Sequence, residues 1–195
     1  EDNILSVHFM EGLNNAYYCL DYSPKEFEKG FGPWIQKQYE LYYKYYSTVR
    51  QAVRADLGEY TPKRIGHFDL IKKYQHHFGF ERHLDRRNAQ VVSDILHIMR
   101  VQGRELDYNM SGFFKPDCRE MYPSRFIQGM AAIIGVPFVL GSDAHSIADI
   151  EKIWGYGSEK DGEKQSVDLC EKCWDEITNN FIVKPWVCIN PQNMF

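Results

Sequence analysis

Short apolar strand patterns that stop on a polar residue recur along this 195-residue chain, and they constrain its fold more than any other feature. Residues 4–9, Ile4-Leu5-Ser6-Val7-His8-Phe9, read as a strand carrying His8 near its end. Arg64-Ile65-Gly66-His67-Phe68 reads as a second, carrying His67. Glu105–Asn109 reads as a third and ends on Asn109. Residues 137–140 form an apolar strand pattern, followed at once by Gly141-Ser142-Asp143-Ala144-His145. Between these stretches, apolar residues are spaced three and four apart, the spacing of a helix face. One such helix is expected over 33–57, with Pro33 at its first position, Tyr39, Tyr42, Tyr43, Tyr46, Val49 and Val53 in its pattern, and Gly58 as its stop. Others are expected over 86–103, over 123–134 with Gly135 closing it, over 147–154 and over 166–180. Residues 10–32, rich in Gly, Asn and Pro, read as a long loop with at most a helical turn. Strands that alternate with helices predict an α/β fold with a parallel sheet.

Composition narrows the function classes. With 44% hydrophobic residues the chain has enough apolar surface for a packed core. Its formal charge of -4 excludes the basic footprint of a nucleic-acid binder, so no nucleic-acid partner is expected. A small anionic substrate remains compatible with an acidic chain, because a bound metal supplies local positive charge. No apolar run approaches the ~20 residues that cross a bilayer, and no signal peptide is visible, so no membrane partner is expected. Five cysteines without a disulfide framework fit reduced thiols and a cytoplasmic location. Cys170-x-x-Cys173 has no second pair and Cys188 stands apart, so these too read as ordinary thiols.

In a barrel of parallel strands the C-terminal ends converge on one face, where active sites form. Asp143 and His145 lie two apart, and in an extended segment such residues point the same way. Both are suitable ligands for zinc, manganese or iron; the alternative is an Asp capping the next helix beside an exposed His. His67 follows Gly66, which permits a close approach to the backbone; the alternative is a hydrogen-bonded core histidine. The same choice applies to His8. Lys115, Arg64 and Arg125 are candidates to hold a phosphate, Lys as a point charge and Arg as a fork, against the alternative of solvated surface charges. His76, His77, His83 and His97 lie in charged or helical stretches and fit a site less well.

Five segments taken together carry a resemblance. Ser6-Val7-His8-Phe9, Gly66-His67-Phe68-Asp69-Leu70, Asn109-Met110-Ser111-Gly112, Tyr122-Pro123-Ser124 and Gly141-Ser142-Asp143-Ala144-His145 resemble, in order, the later motifs of the polymerase-and-histidinol-phosphatase family, in its histidinol-phosphatase branch. The resemblance implies a distorted (β/α)7 barrel with up to three divalent metals at the strand ends. It implies His8 and His67 as ligands of one metal, Asp143 of a second and His145 of a third. Asn109 and the segment after it would form the substrate-pocket wall. The implied reaction is hydrolysis of L-histidinol phosphate in histidine biosynthesis. The alternatives are another phosphoester, such as a nucleotide or a nucleic-acid end, and a catalytically inactive binding module.

The family's opening motifs, a His-x-His segment, a further His and a bridging Glu, do not occur in these residues. The chain also opens on a strand pattern without an initiator Met. The expectation is a C-terminal portion of one barrel domain whose first strands are missing. It would be inactive alone and would need an N-terminal segment of the same protein as its partner. Phe114 stands where relatives often carry an Arg, which bears on the substrate more than on the chemistry. No general acid is identifiable.

Overall fold

The structure, a computed structural model, describes residues 3–141 and Asp143. His145, Cys170, Cys173, Cys188 and the helices expected over 147–154 and 166–180 lie outside the described residues. The elements are β1 (Ile4–Leu5), β2 (Phe9–Glu11), β3 (Tyr17–Cys19), α1 (Pro24–Ile35), α2 (Gln38–Arg54), β4 (Arg64–Ile65), α3 (Arg86–Val101), β5 (Glu105–Asn109), α4 (Ser111–Phe114), α5 (Arg125–Ile134) and β6 (Phe138–Gly141).

Four strands form a wholly parallel sheet in the order β1-β4-β5-β6. The order follows the chain without reversal. A doubly wound sheet would instead reverse at a switch point. Register places Leu5, Ile65, Leu106 and Phe138 in one row across the sheet. Ile65, Leu106 and Phe138 join the buried core with Val92, Ile95, Leu96 and Met99 of α3 and with Ile127 and Ala131 of α5. Helix α2 adds Leu41, Tyr42, Tyr45, Tyr46, Val49 and Val53, one face at helical spacing. Asp85 caps α3 through the Asn88 amide, and Gly135 closes α5 in the left-handed conformation. None of the helices described is long and apolar enough to cross a membrane.

The first third of the chain departs from the sequence reading. The strand expected over 4–9 is two pieces: β1 ends at Leu5, and Phe9 already belongs to β2, which pairs antiparallel with β3. Asn14 and Asn15, both at positive φ, make the reversal between them. The loop expected over 10–32 therefore contains a hairpin and most of α1. The Ser23 hydroxyl caps α1 by accepting from the Glu26 amide at 3.2 Å, and Pro24 fills the first position. Pro33 lies inside α1, two residues before its end, and α2 begins later, at Gln38. That helix ends at Arg54; Gly58 serves a separate turn at φ 63.

Candidate active site

Parallel strands present their C-terminal ends on one edge of the sheet, and side chains two residues apart share a face. Leu106 and Tyr108 of β5 point into the core, so Asp107 and Asn109 point to the opposite face. Arg64 of β4 and Gly141 of β6 lie on that face by register. Ile4 of β1 lies there too by register with Arg64, and Ser6 and His8 line the cleft at alternate positions beyond β1. The result is an open cleft of about 670 Å³, lined also by Asp21, His67, Lys73, Ser111, Lys115 and Asp143. His8, His67, Asn109, Asp143, Arg64 and Lys115, all singled out in the sequence, are thus brought together. Arg125 is not among the lining residues. It is exposed at the start of α5, on the helix side of the sheet, and its charge acts on Tyr108.

The two histidines face one another, with ring centroids 4.7 Å apart and planes at 82°. Their surroundings differ. His8 is half-buried, and its Nδ1 lies 3.2 Å from Asp21 Oδ1. The hydrogen bond to Asp21 holds the His8 imidazole above its ordinary pKa, against the opposing effect of burial. Burial works against ionisation of Asp21. The hydrogen bonds from His8 and from the Cys19 thiol, with the charge of Lys73, outweigh it and hold the carboxyl well below the usual range.

His67 is buried, and burial followed by the charge of His8 holds its pKa below the ordinary value. Its Nδ1 has no hydrogen-bond partner among the described residues. Its backbone is at φ 23, a region costly for a residue with a Cβ. Neighbouring groups fix that conformation. The Asp107 carboxylate accepts from the His67 backbone. The Tyr45 hydroxyl donates to the Phe68 carbonyl and accepts from the Leu70 amide, each at 3.2 Å. Asp69, fully buried, accepts from the Ser124 amide at 2.9 Å. A Cβ on Gly66 would strike the Ser6 hydroxyl and approach Ile4 to 2.8 Å, so only glycine lets β1 and β4 meet this closely above the sheet.

Asp107, Asn109, Ser111 and Asp143 form a chain of contacts across the cleft floor. Asn109 Nδ2 donates to Asp107 Oδ2 at 3.2 Å, and its Oδ1 accepts from the Ser111 amide at 2.9 Å. Ser111 Oγ donates to Asp143 Oδ2 at 2.9 Å. Asp107 occupies the space that a Cβ on Gly141 would need. Burial pushes its carboxyl up to about 6. Asp143 is at φ 49, so the extended geometry expected from Asp143 to His145 does not hold at Asp143. Asp21, Lys73 and Asp107 were not marked by any spacing in the sequence. Ser111 lay in a segment already singled out.

Imidazole nitrogen and carboxylate oxygen suit zinc, manganese or iron. The orphaned, buried His67 Nδ1 and the carboxylate behind His8 are features that a metal centre uses. Among the described residues, however, no three His, Cys, Asp or Glu side chains close around one point. His8, His67 and Asp143 therefore fit as members of a ligand set and do not complete one.

No protein-family profile matches the chain. It is 34% identical over 152 residues to the histidinol-phosphatase of Bacillus subtilis (strain 168), covering 77% of this chain and 54% of that protein. It is 35% identical over 147 residues to a Deinococcus radiodurans protein named "Probable histidinol-phosphatase", covering 74% of this chain and 47% of the other. Its fold matches the crystal structure of the "putative histidinol phosphatase hisK" from Listeria monocytogenes with a TM-score of 0.74 at 32% identity, over 81% of this chain and 58% of that one. The chain spans about half the length of the curated relatives it matches. Over roughly three quarters of its residues it is similar in sequence to histidinol-phosphatases, and it shares its fold with a crystal structure described as one.

Proposed function

We propose that this chain carries part of the active site of a metal-dependent phosphomonoester hydrolase whose substrate is L-histidinol phosphate, in histidine biosynthesis in the cytoplasm. The observation that carries the reading is the meeting of His8, His67 and Asp143 with Arg64 and Lys115 in one strand-end cleft. The similarity to histidinol-phosphatases supports the substrate. The sheet belongs, in this reading, to a single distorted (β/α)7 barrel domain. Its strands run in chain order, its helices α3 and α5 cover one face, and the polar cleft occupies the other.

His8 and His67 would offer imidazole nitrogens to one divalent ion, and Asp143 a carboxylate to a second. The site would take up to three ions, with zinc, manganese or iron as candidates. Bound, such ions lower the pKa of water enough to give hydroxide near neutral pH. The chain's own residues do the rest. Ser111 aims the Asp143 carboxylate through the 2.9 Å hydrogen bond. Arg64 and Lys115 meet the phosphate oxygens, Arg as a fork and Lys as a mobile point charge, and neutralise charge as the ester bond breaks. Asn109, held between Asp107 and Ser111, forms the wall against the alcohol half of the substrate.

The test is phosphate release by the purified full-length protein from L-histidinol phosphate and from a panel of sugar and nucleotide monophosphates. Zinc or manganese is added, then removed with a chelator. The reading expects preference for histidinol phosphate and loss of turnover on chelation that is restored by metal. Turnover that survives complete removal of metal, or a preference for nucleotides, would overturn it.

A further inference from the structure

We propose that Asp21 is the positioning residue of this site: it holds the His8 imidazole in the Nδ1–H form and so commits Nε2 to the metal. The proposal rests on the reading of His8 as a ligand, and it deepens that reading. A neutral imidazole has one N–H and one lone pair, and whichever nitrogen is bonded elsewhere fixes the role of the other. Asp21 Oδ1 lies 3.2 Å from His8 Nδ1. An ionised carboxylate only accepts, so Nδ1 carries the proton and Nε2 keeps the lone pair.

Besides His8, two groups hold the Asp21 segment in place. The Cys19 thiol donates to the same Oδ1 at 3.1 Å. Lys73 Nζ donates to the Asp21 main-chain carbonyl at 2.7 Å and lies 3.7 Å from Oδ2. The hairpin supplies the reach. Strands β2 and β3 fold the chain back on itself, and the Leu20 amide donates to the His8 carbonyl at 2.8 Å. The residue after Leu20 is thereby delivered to the side chain of His8, thirteen residues earlier in sequence. His67 has no such group at its Nδ1 among the described residues. A carboxylate behind a ligating histidine fixes the ring and raises its basicity, and its loss typically weakens metal binding about 10- to 100-fold.

The experiment has two readouts that do not depend on turnover. In the metal-free protein, ¹H–¹⁵N correlations of the ring nitrogens are recorded at a pH where the histidines are neutral. Wild type is expected to show His8 as Nδ1–H, and Asp21→Ala to lose that preference. Zinc and manganese are then titrated calorimetrically into wild type, Asp21→Ala and Asp21→Asn. Asp21→Ala is expected to bind about 10- to 100-fold more weakly. Asp21→Asn, whose carbonyl can still accept from Nδ1, is expected to lose less. A wild-type His8 protonated on Nε2, or an Asp21→Ala affinity equal to wild type, overturns the proposal while leaving the metal centre standing. Failure of the wild type to bind any metal overturns the metal centre and this proposal with it.

Discussion

On the helix side of the sheet, α2 and α3 pack together and contribute Leu41, Tyr46, Val49, Val92, Ile95 and Leu96 to the core, all buried and spaced as their helices require. On the cleft side, His67 and Asp143 hold left-handed backbones, Gly66 and Gly141 admit groups where any Cβ would collide, and Asp107 is buried as a carboxylate. The backbone of the first region follows local preference, with apolar and aromatic residues at helical spacing. The second departs from it at His67, Asp143, Gly66, Gly141 and Asp107. Strained backbone and buried charge persist only where surrounding structure imposes them, and they gather at functional sites. The difference assigns stability to the helix side and chemistry to the strand ends.

Truncating the helix side should produce the largest effect. Leu96→Ala is expected to cost about 2–5 kcal/mol of stability, measured by urea unfolding, without changing metal affinity per folded molecule. A matching loss of metal affinity would show that the two regions are not separable.

The next effect in size is a pH dependence. Asp107 titrates at about 6 when folded, against an ordinary 3.8. A raised carboxyl pKa means that the folded protein binds the proton more tightly. That stabilisation is complete below about 3.8 and is lost as pH rises through about 6, a change of about 3 kcal/mol at ~1.4 kcal/mol per pH unit. Metal-free Asp107→Asn should lack this decline, and unfolding curves compared with wild type between the two values measure it. Parallel curves would place the buried charge elsewhere.

Asp143→Ala should cut phosphate release by more than about 100-fold, worth about 2.7 kcal/mol in the barrier, while shifting stability by no more than about 1 kcal/mol. Near-normal turnover in the folded variant would make Asp143 a structural residue. The smallest effect belongs to Tyr46→Phe. Its hydroxyl is buried with no hydrogen-bond partner among the described residues, as is His67 Nδ1. A buried, unpartnered hydroxyl is a cost, so its removal should be neutral or stabilising by up to about 1 kcal/mol. A clear loss of stability would mean that an ordered water satisfies it.

The helix side was legible because its signals are local. Val91, Ile95 and Met99 declare one face of α3, and Gly135 announces the end of α5. Helix α1 was missed because Gly30, Gly32 and Pro33 mask its pattern, although Ser23-Pro24 followed by Glu26 is a capping signal present in the sequence. The hairpin was missed because strands of three residues are too short to show alternation. Of the candidate site, His8, His67, Asn109 and Asp143 could be singled out because each ends or follows a strand expected from the sequence. Asp21 and Asp107 could not, because their roles depend on partners from other elements: Asp21 on the hairpin's return to His8, Asp107 on His67 just beyond β4 and on Gly141 of β6.

The most direct test of the account is the position of the metal. Crystals of the zinc-loaded protein, measured on both sides of the zinc absorption edge, locate the ion independently of any assay. An anomalous peak is expected in the strand-end cleft within bonding distance, about 2.0–2.1 Å, of a ring nitrogen from His8 and from His67. A peak elsewhere, with this cleft empty at full zinc loading, would contradict it.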